Sequence, residues 1–251
     1  MAFLVPHGRG EILKALSLIS ESFQIIFYQI VLKRIIMAGI GYSVGKSIDD
    51  FLLGDLNGAM LHACMAVDGT SKKTHPEMYR HRTRFITTLR ENYSILRPMS
   101  FPGLDIEQIK WPVKISAEQK PEEWPDTAEV IYGVHRCAHG HGDELPVGFE
   151  LMPDVLHGDT NSTSLIAAPG RVQISDRVIF GLLAIAVLAP VNLILNTKDG
   201  YWLSLNHKQF IINEWWGKRD EFLAIAAPHD TQRVNLDLGN WYSLVKSETQ
   251  L

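Results

Sequence analysis

Apolar residues recur at near-helical spacing through most of the first half of the chain. Ile12, Leu16, Ile19, Phe23, Ile26, Ile30 and Ile36 set one such stripe, which predicts helix over residues 9–45, in two pieces. Gly39, Gly41 and Gly45 loosen the pattern at its end. A second stripe runs through Ile48, Leu52, Leu56, Ala59, Ala63 and Val67, with Ser47 as the expected N-cap. A third helix is expected over residues 76–96, with Met78, Phe85, Ile86, Leu89 and Tyr93 inward and Pro98 and Pro102 ending it. Residues 98–125 are broken by prolines and read as an irregular connection anchored by Trp111 and Trp124. Asp126 or Thr127 then caps a helix through Val130, Ile131, Val134 and Ala138 that Gly140 and Gly142 end.

After Pro146 the period changes from helical to alternating. Residues 147–151, 164–168 and 171–174 read as strands of a small antiparallel sheet, the last two joined by a Pro169-Gly170 turn. Residues 175–189 read as helix, 201–205 as a strand, and 208–225 as a last helix carrying Trp215 and Trp216, at least one of them in the core. The expectation is one domain over residues 1–251. Its helical core with the candidate motif fills 1–142, a β-insert and buried helix fill 146–206, and a C-terminal helix fills 207–227.

Residues 178–195 contain no charge, which meets the length threshold for a membrane span. Gly181, Pro190 and Asn192 interrupt the run and a strand follows closely, so a buried core helix is expected and no membrane association. The formal net charge of −4 gives the molecule no overall electrostatic footprint for nucleic acid, although a local basic patch is compatible with it. Cys64 and Cys137 lie far apart in a sequence without small-scaffold spacing, which points to reduced thiols and a cytoplasmic protein.

The informative segment is Tyr132-Gly133-Val134-His135-Arg136-Cys137-Ala138-His139-Gly140-His141-Gly142. His135 and His139 share a helix face with His141 nearby, a spacing able to ligate zinc. No Glu follows His135 in the metalloprotease pattern and a fourth ligand is lacking, so neither metal nor cofactor is expected. Residues 79–85 form a local basic run, Tyr-Arg-His-Arg-Thr-Arg-Phe, which is a solvated face or a phosphate contact. As a purely structural matter, Arg136 can pair with Asp55 or Asp68, and the histidines can interact with the C-terminal dipole of their helix.

Arg136, followed after four residues by His141 at the end of a helix that succeeds two long helices, resembles the HEPN superfamily. Residues 54–64 and 80–89 are similar to the two long helices of such bundles. The resemblance implies a mainly α fold, a HEPN-like helical bundle with a small antiparallel β-insert. It also implies an RNA-directed protein, a metal-independent endoribonuclease of a defence or toxin system. Arg136 and His141 would be catalytic, with His139 as an additional candidate. The expected partners are a second copy of the chain, RNA, and an antitoxin or regulatory protein. Cys137 stands where active members usually carry a polar residue. The alternative is a non-catalytic module that dimerises through its helices.

Geometry sharpens the choice of histidine. Five residues of helix turn about 500°, so positions 136 and 141 are about 140° apart and converge only if the helix unwinds near Gly140. Position 139, one turn on, meets position 136 on a regular helix.

Overall fold

The structure, a computed structural model, describes residues 39–115, 124–140, 149–157, 160–162, 165–168, 171–229 and 233–236. The chain divides into Met1–Gly39 and Ile40–Leu251, and the fold is that of the second unit. The helix expected before residue 39 lies outside the described residues.

Helix α1 (Ile40–Leu52) buries Ile40, Val44 and Ile48, and α2 (Leu56–Thr74) buries Ala59, Ala63 and Val67. The single stripe expected from Ser47 onward is therefore two helices. Gly54 takes φ +80°, and Asp55 restarts the chain as N-cap, its carboxylate accepting the Gly58 N–H at 2.8 Å. Ser47 is no cap. It is buried mid-helix and donates across the hairpin to the Ala59 carbonyl at 2.7 Å. Gly41 sits inside α1 for a contact reason: a Cβ there would meet the Asn196 carbonyl oxygen at 2.0 Å. The glycine costs about 1 kcal/mol of helix propensity and permits that backbone approach.

The helix expected over 76–96 begins late and breaks once, giving α3 (His81–Glu91) and α4 (Tyr93–Ser100). Residues 75–80 form the turn before it, and Asn92 marks the break, with its amide side chain bonded back to Thr88 O. Pro98 does not end the helix but lies within α4. Of the irregular connection expected over 98–125, residues 98–100 belong to α4, residues 101–115 and 124–126 form no helix or strand, and 116–123 lie outside the described residues; Trp111 and Trp124 are buried. Helix α5 (Thr127–Gly140) then follows, capped by Asp126.

The β-insert contains β1 (Phe149–Met152), β2 (Val155–His157), β3 (Thr160–Ser162), β4 (Leu165–Ala168) and β5 (Arg171–Ser175). The pair β4–β5 is antiparallel as expected, whereas β1 joins β5 in parallel, in the order β1-β5-β4, and β2 and β3 form a separate antiparallel pair. Strands β2 and β3 lie between residues 151 and 164, where no strand was expected.

Helix α6 (Arg177–Leu188) is buried on every side, including Val178, Leu182, Ile185 and Leu188. Each such side chain contributes at most roughly 1.5–3 kcal/mol relative to exposure. Gly181 lets α4 lie against it, since a Cβ would stand 1.9 Å from Ser100 Oγ. The helix stops before Pro190. The buried Asn192 amide then donates to Ala186 O at 2.8 Å and to Thr70 Oγ1 on α2 at 2.9 Å. The residues that interrupt the apolar run are thus packing and tethering points. Among the described residues no helix is long and apolar enough to cross a membrane.

Residues 208–225 are not one helix. Strand β6 (Trp202–Leu205) pairs with β7 (Lys208–Ile211) through a two-residue turn at Asn206 and His207, both with positive φ, as a type I′ hairpin requires. A single turn, α7 (Ile212–Trp215), and α8 (Arg219–Ala226) follow, separated by Gly217 at φ +75°. Trp216 is buried and Trp215 half-buried. Among the described residues the protein is mainly α, with three small sheets, two of them in the β-insert and the third the β6–β7 hairpin.

Candidate functional site

Helix α5 carries the candidate motif, and its first turn is anchored from several directions. Asp126 and Glu129 cap it reciprocally: Asp126 Oδ1 accepts the Glu129 N–H at 2.9 Å, and Glu129 Oε2 accepts the Asp126 N–H at 3.2 Å. Arg90, in the last turn of α3, donates through Nε to Asp126 Oδ2 at 2.8 Å, and its guanidinium lies 3.7 Å from Glu129. Burial works against the Arg90 charge, but Asp126 and Glu129 outweigh it and hold its pKa above the ordinary value. Arg82 reaches Glu129 from the start of α3 at 3.3 Å. The Tyr93 hydroxyl accepts the Ala128 N–H at 3.1 Å, and Trp111 Nε1 donates to Thr127 Oγ1 at 3.1 Å. Two orphan N–H groups of this helix end are therefore met by side chains from α4 and from the helix itself.

One turn further on, the Tyr132 ring lies tilted against Phe85 of α3 with centroids 5.6 Å apart. Arg90 meets Asp126, and Phe85 meets Tyr132, so α3 and α5 run antiparallel. At 1.5 Å per residue, position 136 is about 6 Å beyond Tyr132, toward the His81 end of α3. Positions 136 and 139 are both on α5, one turn apart, and Gly140 is its last residue. His141 lies outside the described residues. The structure thus brings the backbones of Arg136 and His139 together on a continuous helix.

Beside that end of α3 sits a second polar group. The buried Arg84 donates through Nε to Ser71 Oγ at 3.2 Å and through one terminal nitrogen to Met78 O at 3.0 Å. Its other terminal nitrogen lies 3.0 Å from His81 Nδ1 and 3.6 Å from Asp68. Burial raises the Asp68 carboxyl, but Lys72, Arg84 and His81 together bring it below its ordinary value. Asp68, one of the two acids considered for Arg136, is thus already held by cations, and Asp55 is engaged as a cap.

A third group was not read from the sequence. His62 on α2 lies 3.8 Å from the buried Asp50 carboxylate, which Lys46 also pairs, and its ring meets Tyr42 edge-on. Burial pushes the His62 pKa down, and Lys46 adds to this against the pull of Asp50. Its Nδ1 is buried without a hydrogen-bond partner among the described residues. The residues come from two helices and have no common motif, so spacing could not have found them. Among the described residues no three His, Cys, Asp or Glu side chains are placed to hold a metal ion. Cys64 is a free, buried thiol whose pKa burial pushes up.

A family model named Rv1289 matches residues 39–242, which include the whole described body. This chain belongs to the Rv1289 family. Among its relatives is the uncharacterised protein Rv1289 of Mycobacterium tuberculosis (strain ATCC 25618 / H37Rv), 39% identical over 206 residues, covering 81% of this chain and 95% of the relative. The uncharacterised protein Mb1320 of Mycobacterium bovis matches with the same identity and coverage. No solved structure matches. The Rv1289 match begins at residue 39, next to the start of α1 at Ile40, and spans all the helices that carry the candidate site.

Proposed function

We propose that this Rv1289-family protein is a HEPN-like, RNA-directed protein that acts as a metal-independent endoribonuclease in a defence or toxin system. The observation that supports this reading is the course of α5. It is a capped, continuous helix that carries positions 136 and 139 one turn apart, and its antiparallel course along α3 runs toward the His81 end of that helix. The Arg136 guanidinium holds the scissile phosphate bidentately and offsets its developing charge. His141, or His139, takes the proton of the 2′-hydroxyl. The 2′-oxygen bonds to phosphorus, the bond to the 5′-oxygen breaks, and that oxygen takes up a proton. The products carry a 2′,3′-cyclic phosphate and a 5′-hydroxyl. A second copy of the chain brings its own α5 end to the same phosphate, an antitoxin or regulatory protein restrains the pair, and the reaction takes place in the cytoplasm.

The test is cleavage of a panel of RNAs in EDTA. The wild-type protein is expected to cut and to leave cyclic phosphate ends. Arg136→Ala and His141→Ala are each expected to abolish cutting with little change in melting temperature. Mutants that cut as well as wild type would remove the catalytic assignment. Cys137, directly after Arg136, favours a second reading as a non-catalytic dimerisation module. Intact RNA across the whole panel, together with a stable dimer in sedimentation, would select it.

A further inference from the structure

The turn between α2 and α3 presents an aromatic ring and a set of basic side chains to solvent, of which Arg82 also pairs Glu129 and His81 also meets Arg84. Tyr79 is 92% exposed, and Arg80, His81 and Arg82 beside it are exposed as well. Arg80 has no carboxylate within ion-pair distance among the described residues, in a chain whose net charge is −4. The nearby Asp68 is held by Lys72 and Arg84, and Glu129 is shared between Arg82 and Arg90. The turn is nevertheless built. Arg84 holds the Met78 carbonyl from below and donates to His81 Nδ1. A guanidinium can only donate, so in the neutral ring Nδ1 accepts from it and the proton sits on Nε2, and the side chain is 67% exposed. The α3–α5 antiparallel pairing runs the motif end of α5 toward this same end of α3.

We propose that residues 79–82 are the track by which single-stranded RNA enters the Arg136 site. Arg80 and Arg82 contact backbone phosphates, the His81 Nε2–H donates to one of them, and a base stacks on Tyr79. The chemistry fits a flexible single strand, whose unstacked bases offer a face to an exposed ring while cations follow the backbone. The track names the substrate class of the proposed ribonuclease and rests on that reading.

Binding of a fluorescein-labelled single-stranded RNA oligonucleotide to the full chain, measured by anisotropy in EDTA at several salt concentrations, tests it alongside cleavage of the same oligonucleotide. Tyr79→Ala and Arg80→Glu, both at exposed positions, are expected to weaken binding about tenfold, as the loss of one stacked base or phosphate contact does. Arg80→Glu should also flatten the salt dependence by about 0.7 in log–log slope. Lys208→Glu, on the β7 strand, is the control and should bind as wild type does. If wild type cuts RNA while the Tyr79 and Arg80 variants bind and cut equally well, the track is wrong and the ribonuclease reading stands. If wild type binds through these residues yet cuts nothing, the track stands and the cleavage reading falls. If wild type neither binds nor cuts, both fall.

Discussion

Arg84 is a cation with almost no access to water, only 8% of its side chain being exposed, and each of its donor nitrogens has an acceptor. Its partners are spread over a helix, a turn and its own helix, so what it fixes is the path of residues 75–81. Lysine, a single-point donor on a flexible stem, cannot reach Ser71 Oγ and Met78 O together. Arg84→Lys is therefore expected to destabilise the protein by about 1–3 kcal/mol, the cost of leaving such groups unmet. Thermal unfolding would show this, and an unchanged midpoint would mean that Arg84 does not hold the turn. The same residue illustrates a limit of reading sequence alone. In the run at 79–85 it is one of three arginines, and nothing in the spacing separates the buried, anchoring Arg84 from the exposed Arg80 and Arg82. Burial on the α2 side decides their roles.

Among the elements, α5 was legible because its start and stop are chemically marked. Asp126 with Glu129 three residues on is a capping pair, and Gly140 stands at the end. The Arg90 contact was not legible, since it joins positions 36 residues apart. Helices α1 and α2 were read as a single stripe because their apolar positions stay nearly in phase across Gly54 and Asp55. The positive φ at Gly54 and the non-helical Asp55 break the helix there. The β6–β7 hairpin was missed for a comparable reason. Its turn residues, Asn206 and His207, both take positive φ without a glycine, so the usual signal was absent. Asp126→Ala removes a cap and strips Arg90 of its nearest anion, and should cost about 2 kcal/mol or more. For a chain of this size that is a fall of roughly 4–8 °C in melting temperature. Asp126→Asn, which keeps a cap acceptor, should recover part of it. Equal stability of the Ala and Asn variants would show that the ion pair, and not the cap, anchors the helix.

At the scale of the whole molecule, the titrating groups are arranged against each other, and their signs set the pH profile. His62 has a depressed pKa in the folded state. Between that value and the unfolded value near 6.5 the unfolded chain binds more protons, so stability is lost as pH falls through this window. Asp68 is also depressed, and its contribution disappears only below the unfolded carboxylate value of about 3.9. Asp176 has the opposite sign. Burial raises it, the neighbouring Asp154 charge adds to this, and hydrogen bonds from Asp154 N and Ser175 Oγ only partly offset the rise. Its ionised form is thus penalised in the fold, and its contribution improves on acidification, opposing that of Asp68. The expected profile is a plateau near neutrality, a first loss beginning just below about pH 6.5 from His62, and a steeper one below about pH 4. His62→Gln should flatten the first loss and leave the second in place. Asp176→Asn keeps the acceptor oxygen but removes the buried charge, and should be as stable as wild type or more so at neutral pH. Melting temperatures across the range for the three proteins decide the matter. If the His62 variant retains the wild-type slope between about pH 5 and 6.5, the first loss belongs to another group, and the α1–α2 cluster is electrostatically silent.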